Sequence, residues 1–171
     1  MTLTTHAVTG AALAALMPNH PVIGFVAGFA SHFILDAIPH WDYRLSSFKQ
    51  DRANRLNNDM LINADFLRDL VKIGTDFALG FILSVLLFVI FWHFSLLAIL
   101  CGAFGGMLPD GLQFVYMKWR HEPFVTLQKF HIWIHSSDER LLGRPLLGIC
   151  IQAAFAGLVI LGFFLVRRSL S

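Results

Sequence analysis

One short apolar segment carries the densest set of side chains that could bind a metal ion. His32 and Asp36 are four residues apart, so both side chains lie on one face of a helix. Imidazole and carboxylate are common ligands of zinc, manganese and iron. Pro39 ends this helix, and the chain could then turn so that His40 and Asp42 lie back across the C-terminal end of the helix. The alternative is an ordinary hydrogen bond between His32 and Asp36, with His40 and Asp42 exposed to solvent.

Further histidines and aspartates lie near the ends of other apolar runs. His6 precedes the first run, while Asp76 and Asp110 flank later ones, and His131 and His135 have the same four-residue spacing as the first pair. All five are candidate metal ligands, and each also has an ordinary alternative. Asp76 could cap the third helix. Asp110 stands in a Pro-Asp-Gly sequence typical of turns. The paired histidines could belong to an amphipathic helix lying at a membrane interface.

The composition is typical of an integral membrane protein. Hydrophobic residues make up 56% of the chain and charged residues only 14%, whereas soluble domains carry about 25% charge. The mean hydropathy is +0.64. Apolar runs near 20 residues are typical of membrane-spanning helices. A net charge of +2 is too small to indicate a nucleic-acid-binding surface. We therefore expect the protein to interact with membrane lipid and not with nucleic acid.

The order of apolar and polar runs predicts an all-α, polytopic membrane bundle of four to five helices in a single domain. Two helical hairpins and a final span alternate with polar segments. The predicted parts are hairpin one (1–39), a cytoplasmic loop (40–69), hairpin two (70–112), a second cytoplasmic loop with the histidine pair (113–144) and a C-terminal transmembrane helix (145–168).

An up-and-down arrangement of these helices places most histidines and intramembrane carboxylates on one side of the membrane. The same side carries all but two of the 13 lysines and arginines, the exceptions being Arg167 and Arg168. The positive-inside rule therefore predicts that the polar site faces the cytoplasm.

The two hairpins also predict an internal repeat. The segment 27–36 aligns with 101–110 at an offset of 110 − 36 = 74 residues, and both contain a glycine, then small and apolar residues, then an aspartate. Patterns of small residues recur in any packed membrane bundle, so the similarity also has a plain packing explanation.

Three short motifs resemble the bacterial inner-membrane metal-dependent hydrolase-like family. They are Thr5-His6 opening an apolar helix, Ser31-His32-x-x-Leu35-Asp36, and Leu108-Pro109-Asp110. The His32-x-x-x-Asp36 spacing is also distantly similar to zinc-dependent phospholipase C. The resemblance implies a bacterial inner (cytoplasmic) membrane location and metal-dependent hydrolysis. The chain departs from the family pattern after Asp110, where Gly111-Leu112-Gln113 replaces a second aspartate and a histidine.

Together these patterns predict a membrane-embedded hydrolase that acts on a phosphoester of a lipid or lipid-linked substrate. The candidate ligands of one or two divalent ions, zinc or manganese, are His6, His32, Asp36, Asp76, Asp110, His131 and His135. Arginine binds phosphate in bidentate fashion, and the candidates are Arg44, Arg120 and Arg144, although each also fits plain positive-inside charge. The alternatives are a protein that moves protons or divalent ions, as transporters do, and a non-catalytic structural membrane protein.

Overall fold

The computed structural model describes residues 1–136, 141 and 143–170, and this part of the chain is mostly helical. It contains six α-helices and one small pair of strands. The helices are α1 (Leu3–Ala15), α2 (Pro21–Asp36), α3 (Ala64–Ser84), α4 (Leu96–Lys118), α5 (Phe124–Ile134) and α6 (Pro145–Leu170). The all-α prediction is confirmed. The number of described helices exceeds the predicted four to five because the polar segment 113–144 contains α5.

Three of the helices in the described part of the chain are long and apolar enough to cross a membrane. They are α3 with its π-helical continuation (Ala64–Ile90), α4 (Leu96–Lys118) and most of α6 (Pro145–Arg168). The first hairpin is shorter, because α1 has 13 residues and α2 has 16. At about 1.5 Å per residue these helices span about 20 and 24 Å, less than a hydrocarbon core of about 30 Å. The hairpin therefore packs against the longer helices.

Glycines allow α1, α2 and α4 to approach at backbone distance. A Cβ atom added to Gly10 of α1 or to Gly28 of α2 would collide with the carbonyl oxygen of Gly102 in α4. A Cβ on Gly106 would meet the carbonyl oxygen of His6 in the same way. Close contact between small residues is a common way to hold membrane helices together. Here it brings the N-terminal part of α1 against α2 and α4, where the candidate ligands lie.

The third helix begins earlier than the polar sequence predicted. It starts at Ala64, where the sequence predicted residue 70, and the Asn63 side chain caps it by accepting a hydrogen bond from the Phe66 N–H. Its first turns are amphipathic, with an ion pair of 2.9 Å between Lys72 and the buried Asp69. The many charged residues in this stretch predict a loop, but in the structure they form the polar end of a long helix.

The fourth helix continues through Pro109 to Lys118, beyond the predicted end of the second hairpin at residue 112. A proline inside a helix has no N–H for the carbonyl four residues earlier, here that of Gly105. The adjacent carbonyl, of Gly106, accepts a 2.8 Å hydrogen bond from Nδ1 of His32 in α2. This bond joins α2 to the turn of α4 that precedes the proline.

The segment between α2 and α3 is folded against the helices. Strand β1 (Phe48–Lys49) pairs antiparallel with β2 (Asp59–Met60). Asp69 of α3 accepts two hydrogen bonds of 2.7 Å from the backbone N–H and the hydroxyl of Ser47, which fix this segment to the helix. The other predicted loop, 113–144, includes residues 137–140 and 142, which lie outside the described part.

Candidate metal centre

The carboxylate of Asp36 lies at the centre of a cluster of histidines. Asp36 is the last residue of α2 and is only 1% exposed. Its Oδ1 atom is 3.2 Å from Nε2 of His6 in α1. Its Oδ2 atom is 3.1 Å from Nε2 of His32 and 3.0 Å from Nε2 of His131 in α5. Three helices thus direct imidazole nitrogens at one buried carboxylate.

Two groups of possible metal ligands share this carboxylate. In each group the ligand atoms all lie within 4.8 Å of one another. The first group is His32, Asp36, Asp110 and His131, and the second is Asp36, His40 and His135. Because Asp36 belongs to both groups, its two oxygens could bridge two metal ions, as carboxylates do in two-metal sites.

The protonation of three of these histidines can be deduced from their backbone partners. In each ring Nδ1 lies within hydrogen-bond distance of a carbonyl oxygen, which can only accept. The pairs are His32 with Gly106 at 2.8 Å, His40 with Ile38 at 2.7 Å, and His135 with Ser136 at 2.9 Å. Nδ1 therefore donates to the carbonyl in each ring, which leaves Nε2 as the atom that could bind a metal; in His40 that atom is also 3.2 Å from Oδ2 of Asp42. A histidine that binds a metal through one nitrogen usually donates its other N–H in this way.

Several buried ring nitrogens lack a hydrogen bond. Both nitrogens of His6 and Nε2 of His32 have no hydrogen-bond partner among the described residues, although both rings are fully buried. Nε2 of His6 and Nε2 of His32 lie 3.2 and 3.1 Å from oxygens of Asp36 without hydrogen-bond geometry, and Oδ1 of Asp36 accepts a 3.1 Å hydrogen bond from the Met1 amino group. Buried polar groups are nearly always satisfied, and the binding of an ion is one standard reason for an exception. The donor set and its unpaired nitrogens therefore fit a divalent cation.

The two other predicted aspartates have different positions. Oδ1 of Asp110 is 3.7 Å from Nε2 of His32, so Asp110 joins the first group. Asp76 lies in the middle of α3 and not at its N-terminus. Its carboxylate caps α1 by accepting hydrogen bonds of 2.8 and 3.0 Å from the backbone N–H groups of Leu3 and Thr4. Asp76 therefore lies outside both groups and positions the helix that carries His6.

The cluster opens to one side at Asp42 and Asp110. Their side chains are 43% and 34% exposed, compared with 2% for Asp36. Burial raises the pKa of Asp42, but the nearby amino terminus and His40 outweigh it and hold this pKa well below its usual range. Burial also lowers the pKa of His135, which keeps the ring neutral and able to bind a metal near neutral pH.

The three predicted phosphate-binding arginines differ in their surroundings. The Arg120 guanidinium donates hydrogen bonds of 3.3 Å to the carbonyl oxygens of Leu56 and Asn58, so it holds the segment between α2 and α3 against the end of α4. Arg44 is exposed and lies two residues after Asp42, at the open side of the cluster. Arg144 is exposed just before α6. The latter two remain the candidates for contacting a substrate.

Comparison with known proteins provides no further guide to this centre. No protein-family model matches the chain, and neither does any curated protein or solved structure. The assignment therefore depends on geometry alone. His40 belongs to the second group but is not among the seven ligands predicted from the sequence. The signal for it was its spacing of four residues from Asp36, together with the turn at Pro39.

Gln152 is a second residue whose role the sequence does not indicate. It is 3% exposed on α6, a helix whose residues are mostly exposed. Its Oε1 accepts hydrogen bonds from Thr2 and Thr5 at the start of α1, at 2.9 and 3.2 Å. Its Nε2 donates a 2.6 Å hydrogen bond to the Trp41 carbonyl oxygen. Gln152 thus holds α6, α1 and the mouth of the cluster together.

We predict that Gln152→Leu lowers the free energy of unfolding by about 1–3 kcal/mol, because it leaves buried donors and an acceptor unpaired. Thermal unfolding in detergent measures this loss. Cys150→Leu, at an exposed position on the same helix, is the control and should change little. Equal stability of the two variants would show that the Gln152 hydrogen bonds do not stabilise the fold.

Proposed function

We propose that this protein is a membrane-embedded, metal-dependent hydrolase that cleaves a phosphoester of a lipid or lipid-linked substrate. The observation that carries the proposal is the position of Asp36, a buried carboxylate shared by two groups of ligand atoms. Two adjacent metal ions are the arrangement that enzymes use to stabilise both the attacking and the leaving oxygen of a phosphoester.

Each of the two proposed ions, zinc or manganese, has its own set of histidines. His32 and His131, with Asp110, would hold one ion, and His40 and His135 would hold the other. His6 contacts the Oδ1 side of the shared Asp36. Bound divalent ions supply Lewis acidity and lower the pKa of a water molecule towards neutrality.

The cluster lies at the end of α2 and in the second half of α4, on the side that opens at Asp42 and Asp110. Asp36 follows Pro21 by 36 − 21 = 15 residues, and Asp110 follows Leu96 by 110 − 96 = 14 residues. Both therefore lie about 21–23 Å from the helix ends on the other side. In a core of about 30 Å they would then lie about 6–8 Å from the midplane and about 7–9 Å from the nearer interface. The exposed side chains of Asp42 and Asp110, and not depth, favour a site that opens to one side.

Residues at the open side have roles that suit this reaction. Asp110 is partly exposed, so among the proposed ligands of the first ion it is the one nearest to an approaching substrate. Arg44 and Arg144 can contact phosphate oxygens from the surface. The basic residues flanking this side favour a cytoplasmic orientation, and the resemblance noted in the sequence favours a bacterial inner membrane.

A rival function, proton or divalent-ion movement, is favoured by one observation. The His6 and His32 rings stack at 4.0 Å, and their unpaired nitrogens extend the ionisable cluster into the buried part of the bundle. Chains of histidine and aspartate in membranes often relay protons.

Hydrolysis by the purified full chain in mixed micelles tests the proposal against this rival. We expect phosphate-containing product from a phospholipid or an isoprenyl diphosphate, loss of activity with a chelator, and recovery with zinc or manganese. The control is Asp65→Asn, which alters an exposed ion pair with Arg68. Metal-loaded protein that hydrolyses none of these lipids but moves protons or ions in proteoliposomes would contradict the hydrolase assignment.

A further inference from the structure

Helix α5 has two faces with different chemistry. Its inner face carries the buried Gln128 and His131, and His135 follows at its C-terminal cap. Its outer face carries Phe130, which is 42% exposed, and Trp133, which is 77% exposed. The rings of these two residues are 5.8 Å apart. An exposed aromatic pair on the back of a helix that carries ligand histidines needs a partner surface.

A continuous line of aromatic contacts joins this pair to a candidate membrane span. Phe130 lies 5.0 Å from Phe33 of α2 between ring centroids. The line continues along α2 and ends on the exposed face of α4. Its further contacts are Phe33 to Phe29 at 5.5 Å, Phe29 to Phe25 at 6.4 Å, and Phe25 to Phe104 at 6.3 Å. The outer face of α5 therefore continues the apolar surface of α2 and α4.

Charge and residue type identify the partner as the headgroup layer of the bilayer. Tryptophan favours this layer, because its ring is apolar and its N–H remains hydrated. Lys129, next to the aromatic pair, is exposed and can approach a lipid phosphate. Phe33 links this face to the cluster, since its ring is 5.4 Å from that of His32 and 5.5 Å from that of His131.

We infer that Phe130 and Trp133 dock α5 into the lipid headgroup layer, and that this docking holds His131 and His135 in the metal centre. The inference rests on the proposed metal centre and adds a partner that regulates it. One ligand of each proposed metal site belongs to this helix: His131 lies within α5, and His135 is its C-cap residue. A bilayer that fixes this helix therefore raises the affinity of both sites.

Zinc affinity in lipid nanodiscs tests the coupling. Trp133→Ser in the full chain should weaken zinc binding about tenfold, the lower range for loss of a residue that orients metal ligands. Trp133→Phe should restore most of the affinity. The control is Leu158→Ser, because Leu158 is also exposed, at 65%, but lies on α6, which carries none of the proposed ligands. Unchanged affinity in Trp133→Ser, or an equal loss in Leu158→Ser, would overturn the coupling.

Fluorescence quenching tests the docking without any metal. In a variant whose only tryptophan is Trp133, with phenylalanine at positions 41, 92 and 119, lipids brominated near the headgroup should quench the emission and aqueous iodide should not. Strong iodide quenching would overturn the docking. If wild-type protein binds no metal, the proposed function and the coupling both fail, whereas bromolipid quenching decides the docking by itself.

Discussion

Asp36→Asn is expected to remove bound metal almost completely. The substitution keeps the size of the side chain but removes the negative charge from the one carboxylate that both ligand groups share. Loss of such a ligand should lower metal content by tenfold or more. The part of the thermal stability that depends on added metal should disappear with it. Elemental analysis and thermal unfolding with and without zinc measure the two effects.

The rival interpretation makes Asp36 a structural partner of the surrounding histidines. Asparagine would still accept hydrogen bonds, and interhelical hydrogen bonds in membranes are worth about 0.6 kcal/mol on average. The variant would then lose a little stability and no metal. Asp65→Asn, on the exposed surface of α3, is the control for effects of charge alone. Equal metal content in wild type and Asp36→Asn would contradict the bridging role.

Gly102→Val is expected to have the largest effect on the fold. Any Cβ at this position would collide with the carbonyl oxygen of Gly10 and with the side chain of Ala14, both in α1. Backbone cannot move aside as a flexible side chain can, so α1 and α4 must separate. Overpacking typically costs 1–3 kcal/mol and occasionally more, and we expect a loss of about 3 kcal/mol. Thermal or denaturant unfolding in detergent measures it.

The matched control is Gly157→Val on α6, a candidate membrane span, where an added Cβ meets no atom within 4 Å. The free energy of unfolding of that variant should be within about 1 kcal/mol of the wild-type value, which is the range of helix-propensity differences. Gly102→Val should also weaken metal binding, because α1 carries His6 to the cluster. A destabilisation as large in Gly157→Val would mean that valine acts through propensity and not through packing.

The long apolar helices, and the proximity of His32, Asp36 and Asp110, could be predicted from the sequence. Long apolar runs predict membrane helices, and four-residue spacing places His32 and Asp36 on one helical face. Alternation of helix direction then places Asp110 at the same level. The structure brings these three together with His131. Each of these inferences needs only local periodicity and the direction of successive helices.

Other features depend on contacts between distant segments, which local patterns do not contain. Asp76 has the sequence context of a helix cap and does cap a helix, but the helix is α1 and not its own. Pro109 has the context of a helix end, yet α4 continues through it with the neighbouring Gly106 carbonyl bonded to His32. Arg120 has the charge of a phosphate ligand, but it binds backbone carbonyls of the segment before α3.

The metal content of the purified wild-type protein tests the central claim most directly. Inductively coupled plasma mass spectrometry on protein prepared without chelator measures each metal per chain. The shared position of Asp36 predicts about two zinc or manganese ions per chain, lost with a chelator and regained on addition of metal. Protein that retains no divalent metal, and binds none when zinc or manganese is supplied, would contradict the account.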